Sequence, residues 1–173
     1  MPWRPWFAIG AAVATVACSP ALDWRSVRPD GSSLVAMFPC KPASHARDVA
    51  LAGATVRMTM HACRAGDVLY AVTFADLTDP ARVTPALAEL RRAAAGNVGA
   101  ADAPGEPARV TGMTPNDEAR RVVLAGRRPD GSAIREQLAV FAFGTRVYQA
   151  TVLGERIDDE AARQFFDGLR IAS

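Results

Sequence analysis

Apolar and polar residues alternate at period two, in runs divided by short turn signals, and this is what most limits the folds open to the chain. From Val68 to Asp76, Val68, Tyr70, Val72 and Phe74 fall on one face and Leu69, Ala71, Thr73 and Ala75 on the other, which is strand periodicity. Ala52-Gly53 divides segment 44–51 from segment 54–63 and reads as a two-residue hairpin loop. If Leu51 opposes Ala54, then Asp48 faces Arg57 as a cross-strand ion pair and His45 faces Met60. Further strands are predicted at 24–27, 34–38, 108–113, 119–126, 133–143 and 146–153. Gly144-Thr145 suits a type II′ turn, which sets Phe141 opposite Tyr148.

The period changes twice. Val83, Leu87, Leu90 and Ala94 recur at helical spacing over about 81–96, with Thr84-Pro85 at the start and Gly96-Asn97 as the stop. Near the C-terminus Asp158 is the N-cap of a second helix, with Asp159 and Glu160 in its first turn. Its apolar stripe is Ala161, Ala162, Phe165, Phe166 and Leu169. The stretch Gly99 to Pro107, rich in Ala, Gly and Pro, is a loop. The expected fold class is therefore α+β, a mainly antiparallel sheet with two main helices packed on it, in a single domain over 24–173. Arg28-Pro29-Asp30-Gly31-Ser32 recurs as Arg128-Pro129-Asp130-Gly131-Ser132, and we read both as turns using the same chemistry.

Charge excludes one class of partner. Of 20 basic residues all but Lys41 are arginine, and they are scattered among 18 acids for a net charge of +2. Nucleic-acid binding concentrates its positive charge in a patch or stripe, and no such footprint is present.

The N-terminus reads as an address. Arg4 is the only charge in the first 17 residues, and the uncharged run Trp6 to Ala17 is 12 residues long. That is short of the roughly 20 residues that span a bilayer, and it ends in small residues, as a secretory signal peptide over 1–17 would. Thr15-Val16-Ala17-Cys18 resembles the lipobox of bacterial lipoproteins, although Thr15 stands where that family usually has Leu. The resemblance implies lipidation at Cys18, a lipidated N-terminus and short tether over 18–23, and anchoring through several acyl chains. By the same resemblance Ser19 implies the outer membrane, with the domain facing the periplasm.

Three cysteines are odd in number for an exported chain. Giving Cys18 to lipid leaves Cys40 and Cys63 as a pair in an oxidising compartment, where a disulfide is expected. The hairpin register puts position 42 opposite Cys63, with Cys40 two residues earlier on the same face. The rival is a metal site of the form C-x4-H…H-x-C, made of Cys40, His45, His61 and Cys63. In the same register His45 and His61 point to opposite faces, and the spacing matches no standard ligand pattern.

The element order, the Phe38-Pro39-Cys40-Lys41-Pro42 element, the Tyr70-Ala71-Val72 strand leading to Asp76, and the closing Phe165-Phe166-Asp167-Gly168-Leu169 together resemble the PsbP-like α/β/α sandwich. The resemblance spans roughly 24–172 and implies a non-catalytic domain used for partner or ligand binding. No Gly-x-Ser-x-Gly, phosphate loop or dinucleotide fingerprint is present, so neither a catalytic residue nor a cofactor is expected. Acidic groups at Asp76/Asp79, Asp117/Glu118 and 158–160 are explained by their local settings at a strand end, a turn and a helix N-terminus. The expectation is a membrane-anchored periplasmic lipoprotein acting as a non-enzymatic binding or assembly module. Its partner would be a protein or a small apolar ligand, held in a groove between sheet and helix. The alternative is a metal-assisted periplasmic enzyme using His61 with Cys40 and Cys63.

Overall fold

A computed structural model of the chain describes residues 22–172. The expected signal peptide over 1–17, Cys18, Ser19 and most of the expected tether lie outside the described residues. Short strands β1 (Arg25–Val27) and β2 (Leu34–Phe38) are followed by the hairpin of β3 (Ala43–Leu51) and β4 (Ala54–Ala65), then β5 (Val68–Asp76). A 3-10 turn at Pro80–Arg82 leads into helix α1 (Val83–Asn97). After β6 (Glu106–Pro107) come β7 (Arg120–Arg127), β8 (Ala133–Phe143) and β9 (Arg146–Gly154), and the chain closes with α2 (Asp159–Asp167) and β10 (Arg170–Ile171). The fold is α+β, with antiparallel sheets and two helices packed on them.

The main sheet has seven strands in the order β3-β4-β5-β9-β8-β7-β6, and a separate three-stranded sheet runs β1-β2-β10. Three layers result. Helix α1 lies on one face of the main sheet, over β8 and β9. Helix α2 and the small sheet cover the other face, with α2 packed on β2.

Alternation in the strands sorts the core into two chemistries. Phe38, Tyr70, Phe74, Phe141, Tyr148 and Phe165 all face the α2 side. There Phe141 and Tyr148, directly opposite in the register, stack with ring centroids 5.1 Å apart. The α1 side is aliphatic, built from residues such as Leu87, Leu90, Val122, Leu124, Leu138 and Val140. Each such side chain contributes about 1.5–3 kcal/mol by leaving water, which is what holds the amphipathic α1 on the sheet.

The β3–β4 register is the one expected, with Leu51 opposite Ala54, Asp48 opposite Arg57 and His45 opposite Met60. Arg57 donates to Asp48 at 3.2 Å. The turn itself is strained, because Ala52 has φ +49° and Gly53 φ +74°, and a left-handed Ala costs ~1–2 kcal/mol. Helix α1 holds it in place. The Glu89 carboxylate accepts from the Ala52 N–H at 2.9 Å, and Arg82 donates to the Ala52 carbonyl at 2.8 Å.

Cys40 and Cys63 are bonded to each other, with Cα atoms 5.9 Å apart. The bridge ties the chain just past β2 to β4, and so fastens the small sheet to the main one. Both Arg-Pro-Asp-Gly-Ser segments are turns between antiparallel neighbours, β1 to β2 and β7 to β8, with Gly31 at φ +72° and Gly131 at φ +85°.

Helix α1 ends at Asn97, at the expected Gly96-Asn97 stop, and Gly99 at φ +64° is the left-handed residue of its cap. The Gly99 N–H bonds the Gly96 carbonyl and that of Ala100 bonds Ala95, the paired bonds of a Schellman cap. One expectation is corrected: segment 108–113 is not a strand. Pairing there is confined to β6 at 106–107 and to isolated bridges at Thr111 and Thr114. Pro107 lacks an N–H, and Gly112 at φ +81° leaves the extended region, so no ladder propagates.

Candidate functional site

The main sheet is wider than the one helix on its α1 face. Helix α1 covers β8 and β9, and its flank and the β3–β4 hairpin enclose a groove of about 400 Å³. From the hairpin, His45, Arg47 and Val49 of β3 and Met58 and Met60 of β4 reach its surface. The helix supplies Glu89, Leu90, Ala93, Ala94 and Asn97, and the floor is Thr73 of β5 and Gln149 of β9. One cross-strand row, His45, Met60, Thr73 and Gln149, forms the base. Met60 is 37 % exposed, a large apolar side chain left open on the sheet. Methionine is the side chain best able to reshape around an irregular ligand.

Polar groups run from this floor into the core. Gln149 Nε2 donates to Thr151 Oγ1 at 3.1 Å, and the Thr151 hydroxyl donates to Glu136 Oε1 at 3.4 Å. Glu136 is only 4 % exposed, with Leu124 and Leu153 opposite it on the neighbouring strands. Burial pushes its carboxyl up to about 7, and the Thr151 hydrogen bond opposes this only partly. The expected acidic groups omitted Glu136, although the sequence carried a signal: it interrupts the apolar series Ile134, Leu138, Val140, Ala142 on one face of β8.

The other acids are structural. Asp76 accepts from the Thr78 N–H, the Thr145 hydroxyl and Arg146, all of which hold its carboxyl below the usual range. Asp79 caps the 3-10 turn through the Ala81 N–H, and Asp158 caps α2 through Ala161 at 2.7 Å. Glu118 and Asp102 both pair with Arg91 of α1, at 3.4 Å and 3.1 Å.

The four residues of the metal alternative are not brought together. Cys40 and Cys63 are joined sulfur to sulfur. His61 lies buried on the α2 side, stacked 6.2 Å from Phe74 with Ser44 Oγ 3.4 Å from its Nε2, while His45 faces the groove. Burial lowers the His61 pKa, against a smaller opposing effect of Asp30. Among the described residues, no three His, Cys, Asp or Glu side chains gather as a metal-binding group.

A second cleft, of about 430 Å³, is lined by Arg64, Arg128 and Arg156 with Asp67 and Glu155, and Val68 is its one apolar side chain. Opposite charges nearly balance there. A third cleft, of about 200 Å³, sets Arg109, Arg121 and Asp167 beside Val110, Phe166 and Leu169. The hairpin groove has about twice that volume and combines apolar walls with a few convergent polar groups, the usual make-up of a ligand site. Comparison with protein-family models, with curated proteins and with solved structures found no match to the chain.

Proposed function

We propose that the protein is an outer-membrane-anchored lipoprotein whose periplasm-facing domain is a non-enzymatic binding or assembly module, with the hairpin groove as its working surface. The observation that carries this reading is the groove itself, an open, methionine-lined cleft beside a helix that covers only part of the sheet. Anchoring is supported by the cysteine count, because Cys40 and Cys63 are paired and Cys18 is left for lipid. A bridged pair suits an oxidising compartment. The three layers are in keeping with the element order on which the PsbP-like resemblance rests.

The reading is tested in intact cells by placing a photo-reactive amino acid at Met60, and in a control at Val123. Val123 is 54 % exposed on the opposite face of the sheet, on β7. The expected result is a discrete adduct from position 60 that position 123 does not give. Equal labelling at both positions, or labelling at 123 alone, would remove the groove from this account.

A further inference from the structure

The groove is lined by one guanidinium, Arg47, and one carboxylate, Glu89, which are not paired with each other. Arg47 sits on the groove face of β3 and has no ion-pair partner among the described residues. Glu89, the one carboxylate of the lining, is turned to the Ala52 N–H at the hairpin tip, where Arg82 also binds. Asp48, the sequence neighbour of Arg47, points to the other face and holds Arg57. Beside Arg47 the walls are apolar: Met58 lies directly opposite it on β4, with Val49, Met60, Leu90 and Ala94 around the cleft. An apolar trough with a free guanidinium complements a ligand that has an apolar body and an anionic end. The volume of about 400 Å³ lies at the low end of the ~300–1,000 Å³ of small-molecule sites, which favours a short amphiphile over a folded partner.

We propose that the groove binds a medium-chain carboxylate amphiphile, its alkyl chain against Met58, Met60 and Leu90 and its carboxylate on Arg47. This rests on the reading of the groove as the working surface and names its ligand class. The guanidinium fork matches a carboxylate with two parallel hydrogen bonds, which a lysine ammonium would not do. Met58 and Met60 adapt to the chain, and Arg47 selects the head group.

The test is a titration of the 15N-labelled domain, residues 22–173 with the disulfide intact, with sodium decanoate below its micelle concentration. Decanol and decylamine serve as uncharged and cationic comparisons. The full chain is run in parallel by calorimetry. Saturable shifts should map to β3, β4 and the flank of α1, with decanoate binding more tightly than decanol and decylamine weakest. Arg47→Gln should weaken decanoate by about tenfold or more and leave decanol unchanged, as loss of a charge-assisted pair requires. Met60→Glu should abolish decanoate binding through like charge on an exposed position that does not endanger folding. Equal affinity for decanoate and decanol, indifference to Arg47→Gln, or shifts elsewhere on the domain would each overturn the proposal. An adduct at position 60 in cells without decanoate binding would refute the ligand class and leave the groove standing. Absence of both would refute the two together.

Discussion

Replacing Cys40 and Cys63 together by alanine should lower the stability of the domain by about 3 kcal/mol. The bridge joins residues 23 apart in sequence. Removing it frees the unfolded chain to occupy conformations the closed loop forbids, and a loop of this length corresponds to about 3 kcal/mol in the chain-entropy treatment. The folded state loses something too. Cys63 packs beside the aromatic core, and Cys40 follows the strand that carries the small sheet. Guanidinium unfolding of the oxidised protein and the double variant gives the comparison. The variant should show a lower midpoint and a steeper dependence on denaturant, because its unfolded state is more open. Coincident curves would mean that the link between the sheets holds without the bridge.

Glu136→Gln should remove most of a stability loss that the native protein suffers on going from pH 4.5 to pH 8. The carboxyl titrates at about 7 in the fold and at its ordinary value of 4.5 when exposed. Between those values the folded state keeps a proton that the unfolded chain has released. Stability from this group is therefore fully present below pH 4.5 and declines as pH rises through 7, by about 3 kcal/mol in all. His61 works the other way. Its lowered pKa makes the fold lose stability as pH falls below the usual imidazole value, so the informative quantity is the difference between native protein and variant. Glutamine keeps a group that can accept from Thr151 and carries no charge to bury. The variant should match the native protein near pH 4.5 and exceed it at pH 8. Parallel stability profiles would show that Glu136 is not held protonated.

What was legible in the sequence is what depends on neighbours in the chain. Period-two alternation and the two-residue turns at Ala52-Gly53 and Gly144-Thr145 fix strand pairs within one hairpin, so the partners of Asp48, His45 and Phe141 follow. The bridge was legible for the same reason, since Cys63 lies in the hairpin and Cys40 just before it. Illegible features depend on distant contacts. Strand β10 is two residues long and exists because β2 lies beside it, and that pairing creates the separate small sheet. The end of α1 was legible at Gly96-Asn97, but not which of Gly96 and Gly99 supplies the left-handed cap. The tertiary structure selects the second, where the Val98 carbonyl reaches over to the Arg127 N–H of β7. Gly126 on β7 leaves room for that approach, since a Cβ there would meet the Val98 oxygen at 1.7 Å. A groove between sheet and helix was expected in outline. Its residues were not, because they depend on how far across the sheet α1 is placed. Glu136 is the clearest omission: an acid within an apolar strand face is visible in the sequence, but its burial beneath α1 is not.

The central claim, an exported and lipid-anchored domain closed by one disulfide, is tested most directly by the intact mass of the protein purified from its own membranes, before and after reduction. The account predicts a chain beginning at Cys18 with added acyl mass, which gains one hydrogen on each of two sulfurs when reduced. An unlipidated chain that retains residues 1–17 and carries Cys40 and Cys63 as free thiols would contradict it.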